Sequence, residues 1–278
     1  MRRLVCLLLA CMCLSACSAG RVDENGQAGS VQGHTEVAAA DNRNPPELPA
    51  DSEPANPPAL TPELPLANKI ICVDPGHEVT DLRIQEPIDP YSSETKEAFV
   101  GGTSGRNQTE EQLNLSVGLR LQTLLEEQGA TVIMTRTTHE SDMTSYKRAM
   151  MANEEQADLC IRIHADGSTD PSVHGMSMLV PYGAQLATQD IVETSRVDGE
   201  YVLEATIAAT GAKNNGIVQR SDLTGFNFAE VPTILIEMGF MSNPDEDALM
   251  ETGEYQQKLA QGMCDGIVQY FSAMQSWK

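Results

Sequence analysis

From Lys69 onward, short runs of apolar and β-branched residues alternate with longer stretches in which apolar positions recur every three to four residues. KIICV (69–73), ATVIM (130–134), DLCIRI (158–163) and the start of PTILIEMGF (232–240) are too short for helices and read as buried strands. GMSMLVPY (175–182) reads as a further strand, expected at a sheet edge. Helical spacing covers 110 to about 128, where Gly129 stops it, then 142–156, 242–250 and about 254–274. The 242–250 segment has an N-terminal signature: Asn243 as cap, Pro244 at the first helical position and Glu246 three after the cap. One or two helices fill 185–210, with a polar break expected near Asp198 and Gly199. Residues 75–108 are punctuated by Gly and Pro and carry no periodic pattern, and a loop of that length in a compact domain is usually functional. Strands apolar on both faces, alternating with helices, predict one α/β domain with a twisted, mostly parallel mixed sheet covered by helices on both faces. In such sheets ligands bind beyond the carboxyl ends of the strands, so polar residues directly after the strands should carry the chemistry.

The first 67 residues follow another pattern. Arg2 and Arg3 precede the short apolar run LVCLLLACMCLSA, which ends before it could span a bilayer, so residues 1–17 read as a secretory signal. It stops at LSAC (14–17), and this stretch resembles the lipobox of bacterial lipoproteins, which implies lipidation of Cys17. Residues 18–67 hold eight of the fifteen prolines and no aromatic residue, a composition that cannot bury a core and reads as a disordered tether. Fifty flexible residues would span about 40 Å root-mean-square, and a Pro-stiffened chain up to about 150 Å. The remaining 68–278 carries 14 Lys and Arg against 32 Asp and Glu, net −18. That balance argues against nucleic acid and against electrostatic attraction to anionic lipid, so any membrane contact would run through the N-terminal lipid only. Nothing in the residues points to a protein partner. Outside the signal region only Cys72, Cys160 and Cys264 remain. An odd number without CxxC spacing reads as small buried residues rather than a disulfide frame or thiolate metal site.

The strand ends supply the candidate chemistry. His77 follows the first strand in DPGHE, His164 follows DLCIRI, and Glu237 follows TILI directly. His34 falls in the tether, and His139 and His174 in polar loops. Two histidines at matched positions invite a metal, and His₂Glu with one open position is a recurrent catalytic zinc set. TEEQLNL (109–115) offers the third ligand. With Thr109 as cap and Gln112 three residues on, Glu110 begins the helix and falls about 60° from Leu113, within the apolar face. A carboxylate aimed into a core needs a partner, and a metal would be one. Glu111 lies near the margin of that face and reads as compensation of the helix dipole.

The blocks KIICVDPGHE, GTSGRNQTEEQLNLSVGLRLQTLLEEQGATVIMTRT, KRAMMANEEQADLCIRIHADGS and VPTILIEMGFMSN together resemble the zinc-dependent N-acetylmuramoyl-L-alanine amidases over nearly all of residues 69–275. The resemblance implies one Zn²⁺ held by His77, Glu110 and His164, with Glu237 as the catalytic carboxylate. The implied reaction is cleavage of the amide between the lactyl group of N-acetylmuramic acid and L-alanine in peptidoglycan. Together with the signal and the lipobox resemblance at Cys17, this gives the expectation of an extracytoplasmic enzyme, lipid-anchored to the outer face of the membrane or associated with the wall. Asp74 is a candidate to orient His77 or to form the turn with Pro75 and Gly76. Arg136 is a candidate for a substrate carboxylate or a structural ion pair. GHEV stands where many members read GHGG, and the 79–108 loop is longer than a minimal member needs and resembles clostridial-type relatives. A zinc peptidase and an inactive wall-binding lipoprotein are the alternative readings.

Overall fold

The structure is a computed structural model that describes residues 63–275 apart from 184, 185 and 188. The signal, Cys17 and nearly all of the tether therefore lie outside the described residues. Six strands form the main sheet: β1 (Ile70–Pro75), β4 (Thr131–Met134), β5 (Leu159–Asp166), β6 (Met176–Pro181), β7 (Asn214–Arg220) and β8 (Thr233–Phe240), in the order β4-β1-β5-β8-β6-β7. All neighbours are parallel except β6 and β8, so the sheet is mixed and mostly parallel, as expected. GMSMLVPY is not at the edge. It lies between β8 and β7, and the edge belongs to β7, a half-exposed strand that the hydrophobic pattern did not reveal.

Period-two alternation sorts the sheet's side chains. Ile71, Val73, Ile161, Ile163, Ile234 and Ile236 enter the main core. The helices α1 (Glu110–Glu127), α3 (Gln189–Thr210) and α6 (Gly253–Gln275) cover that face. Leu113, Val117, Leu121 and Leu125 of α1 are fully buried there, each worth about 1.5–3 kcal/mol. Gly129, at φ +94°, ends the helix in a conformation that costs glycine little. The opposite face holds two smaller clusters, Cys72 and Cys160 with Ala152 of α2 (Ser145–Glu154), and Leu179 and Leu235 with Phe226 of α4 (Thr224–Asn227). The three cysteines described are free and buried.

The 75–108 loop is partly structured. A short antiparallel pair, β2 (Gln85–Pro87) and β3 (Thr95–Glu97), forms its own two-stranded sheet. Glu86 fastens that hairpin to the start of α2 by accepting from the Tyr146 amide at 2.9 Å.

The expected break at Asp198 and Gly199 does not occur, because both residues are buried in the middle of an unbroken α3. A methyl at Gly199 would press on Met178 and Val180, so glycine here allows close helix–sheet contact. Both carboxyl oxygens of Asp198 are buried without a hydrogen-bond partner, and burial pushes its pKa well above the ordinary range. An acid that stays protonated when folded but ionises when unfolded destabilises progressively as pH rises above the unfolded value. Asp198→Asn is therefore expected to be neutral near pH 4 and stabilising at pH 8. The gain should grow by up to about 1.4 kcal/mol per pH unit until the folded acid itself ionises. Urea unfolding at the two pH values checks this, and a gain independent of pH would contradict it.

Candidate active site

The carboxyl ends of β1, β5 and β8 and the first turn of α1 converge on one open cleft of about 600 Å³. His77 follows β1 with φ +58°, a left-handed conformation that few non-glycine residues adopt. Its Nδ1 lies 2.9 Å from the Val100 carbonyl, and its Nε2 lies 3.3 Å from Glu110 Oε1. His164 near the end of β5 brings Nδ1 to 3.1 Å from the same oxygen. The two imidazoles meet edge to face, ring centres 5.0 Å apart. Gly76 lies against the His164 ring so closely that a methyl there would overlap it. Glu110 is buried, as its helical angle predicts. The Ala165 amide donates to its Oε1 at 3.2 Å and the Thr103 amide to its Oε2 at 2.8 Å. Asn114, one turn further along α1, donates to Glu110 Oε1 and to the Gly76 carbonyl. Burial alone would raise the Glu110 pKa, but hydrogen bonds from His164 and His77 win and hold it well below the usual range. Burial also disfavours charge on both imidazoles. Contacts with Glu110 overcome this at His77, whose pKa is raised, but not at His164, whose pKa is lowered.

One ligand atom from each of His77, Glu110 and His164 lies within 4.8 Å of the others. Two imidazoles and a carboxylate at that spacing are a donor set suited to a divalent ion such as zinc. Glu237 pairs in register with His164 across β5 and β8, so the two side chains emerge side by side on one face. Its Oε2 and His164 Nε2 are buried without hydrogen-bond partners. Burial, then the charges of Glu110 and Asp166, hold the Glu237 carboxyl well above the ordinary range.

Asp74 and Arg136 are both buried and held by partners inside the protein. Asp74 makes no hydrogen bond to His77. It is fully buried, and Thr135, Arg148 and Arg162 occupy both its oxygens, so the acceptor at His77 is instead the Val100 carbonyl. Among the described residues Arg136 has no ion-pair partner, and it is buried rather than facing outward. Its guanidinium donates to the backbone carbonyls of Pro75, Gly76, Glu111 and Thr138, tying the turn before His77 to the first turn of α1. Glu111 is more than dipole compensation: it is buried, accepts from the Thr109 hydroxyl and pairs with His139 Nδ1 at 2.8 Å. Val100, Thr103 and Asn114 are contributors that sequence reasoning missed. Asn114 alone had a signal, its i+4 spacing from Glu110.

Asp74 supports a stability prediction. Burial opposes its charge, but Arg148 and Arg162 outweigh that penalty and hold its pKa far below normal. A depressed folded-state pKa gives stability that is complete above the unfolded value, near 4, and is lost as pH falls towards the folded one. Asp74→Asn leaves buried Arg162 without its carboxylate and Arg148 with Glu78 alone, and should cost about 3–5 kcal/mol at pH 7. Urea unfolding should show that difference shrinking as pH is lowered below about 4. A cost under about 1 kcal/mol at pH 7 would contradict the assigned pairing.

A mostly parallel α/β sheet with a His-Glu-His cluster towards the carboxyl ends of its strands, and an unpartnered carboxylate beside it on β8, describes a hydrolase with a candidate metal centre. The model of the N-acetylmuramoyl-L-alanine amidase family Amidase_3 matches residues 71–269, and the chain belongs to that family. It is similar to the Mycobacterium tuberculosis N-acetylmuramoyl-L-alanine amidase Rv3717, 29% identical over 215 residues, covering 74% of this chain and 88% of that protein. It is also 29% identical over 223 residues to the Bacillus subtilis germination-specific N-acetylmuramoyl-L-alanine amidase, covering 75% of this chain and 82% of that one. Among solved structures, the amidase Ami1 from Mycobacterium smegmatis superposes with a TM-score of 0.69 at 27% identity, covering 75% of this chain and 99% of its own. The protein is thus a peptidoglycan amidase.

Proposed function

We propose that the protein hydrolyses the amide between N-acetylmuramic acid and L-alanine with one zinc ion held by His77, Glu110 and His164 and with Glu237 as general base. The observation that carries this reading is the mutual approach of those three ligand atoms, with Glu237 in register beside His164. Zinc bound there would supply a Lewis acid that acidifies water and polarises an amide carbonyl. The chain's own part is to position and to move a proton. Glu110 is fixed by backbone amides at both oxygens, so it needs little reorganisation to act as a ligand. Glu237 Oε2, free of protein partners, would take the proton of the attacking water as oxygen adds to the carbonyl carbon. It would then deliver that proton to the L-alanine nitrogen as the C–N bond breaks. Its position in register beside His164, with Oε2 free of partners, suits both transfers.

We also assign the enzyme to the extracytoplasmic side, anchored through a lipid on Cys17 and the 18–67 tether. The signal-like N-terminus supports this, and among the described residues no helix is long and apolar enough to cross a membrane. Mass spectrometry of products from purified sacculi tests the reaction. Stem peptides with a free N-terminal L-alanine are expected. Cuts confined to bonds within the stem would mark a peptidase instead.

A further inference from the structure

The loop 101–107 reaches the candidate metal centre at one end and helix α5 (Pro244–Met250) at the other. At the first end, the Thr103 amide donates to Glu110 Oε2 at 2.8 Å, and the Thr103 carbonyl accepts from the Glu110 amide at 3.0 Å. Gly102 packs so tightly on Glu110 and His77 that a methyl there would overlap the Glu110 carboxylate. At the other end, the Arg106 amide donates to Asp247 Oδ2 at 2.8 Å. Gly105 lies directly on Asp247 Oδ1, which is buried and has no hydrogen-bond partner. Between the two ends the loop is cross-linked to the start of α1. Gly105 bonds the Gln108 carbonyl, and Ser104 bridges Thr109.

Helix α5 is itself a firm support. Asn243 caps it through the amides of Asp245 and Glu246. Glu246 accepts from the Phe240 amide at 2.7 Å and the Gly175 amide at 2.8 Å, which fixes α5 to the end of the strand that carries Glu237.

We propose that Asp247 is a positioning residue for the metal ligand Glu110. It anchors Gly105 and Arg106, and so keeps the Thr103 amide on Glu110 Oε2 while Oε1 faces the two histidines. This rests on the reading of His77, Glu110 and His164 as zinc ligands. A carboxylate ligand tied at one oxygen has lost the freedom to rotate away, and loss of such supporting contacts typically lowers metal affinity about 10–100-fold. The inward-facing glycine at 105 is part of the same device, because any side chain there would meet the anchoring carboxylate.

Chelator competition with zinc alone, on the folded full chain, tests the proposal. Asp247→Ala should weaken zinc binding about 10–100-fold. Asp247→Asn, whose amide oxygen still accepts from Arg106, should stay within a few-fold of the parent. Gly105→Ala, which displaces the loop from the opposite side, should weaken binding as Asp247→Ala does. The two changes together should cost less than the product of the separate losses, because they break one contact. Asn107→Ala, which removes only the exposed pair with Glu251, should leave the affinity unchanged. A merely structural Asp247 would lower the melting temperature in Asp247→Ala yet leave zinc affinity unchanged, and that result overturns the proposal. If Asp247→Ala does not fold, parent-like zinc affinity in Gly105→Ala overturns it equally. A parent protein that binds no zinc would instead overturn the metal reading beneath it.

Discussion

Glu237→Gln is expected to keep its zinc and to lose about 10²–10⁴-fold in kcat, the range that general acid–base groups contribute. The amide has the shape of the carboxyl, so the packing beneath it on β8 should survive. What disappears is a group that can accept a proton and hand it on. Because Glu237 is not in the cluster of three that meets within 4.8 Å, zinc content should remain at the parent level. KM should change little, since the lost interaction belongs to the transition state more than to substrate binding. Dye release from labelled sacculi, read together with zinc content, separates the outcomes. Near-normal turnover would remove Glu237 from the chemistry. Loss of zinc along with turnover would make it a ligand instead.

The second large effect distinguishes two adjacent glutamates. Glu110→Ala should abolish stoichiometric zinc binding and, with it, activity, whereas Glu111→Ala should retain both. Glu110 Oε1 meets His77, His164, Asn114 and the Ala165 amide, while Oε2 takes the Thr103 amide. Glu111 instead ties Thr109 and His139, a local brace whose loss should cost about 1 kcal/mol of stability. Glu110→Ala also leaves the Ala165 and Thr103 amides without their acceptor, so Glu110→Gln is the companion variant: it preserves the side-chain shape but removes the charge. Its zinc affinity should fall by more than the 10–100-fold typical of a lost supporting residue. Equal zinc binding by the 110 and 111 variants, measured by metal analysis after dialysis, would contradict the ligand set.

The features legible in the sequence were those written in local periodicity. Runs such as KIICV and TILI located central strands, the cap and angular position of Glu110 turned it inward, and the polar residues expected just past the strands marked the cleft, although His164 and Glu237 lie within β5 and β8 themselves. Other features arise from distant partners. Asp74 is held by Arg148 and Arg162, 74 and 88 residues away, and nothing local distinguishes that role from orienting the neighbouring His77. Arg136 is spent on backbone carbonyls, which have no side-chain signature. QEP and TKE are three-residue polar strands, too short to show alternation, and β7 reads NNGIVQR, with a register shift against β6 that breaks its period. Asp198 and Gly199 looked like a helix break because composition carries no information about burial. In α3 the small glycine admits the sheet, and the acid is buried beside it.

If His77, Glu110 and His164 hold one zinc ion, Glu237 lies near the metal without binding it. Anomalous scattering at the zinc edge from crystals grown with the metal tests that arrangement most directly. One peak per chain is expected, about 2.0–2.2 Å from one nitrogen of each histidine and from Glu110, with Glu237 outside that distance. A peak bound elsewhere, or none at those three side chains, would contradict the account.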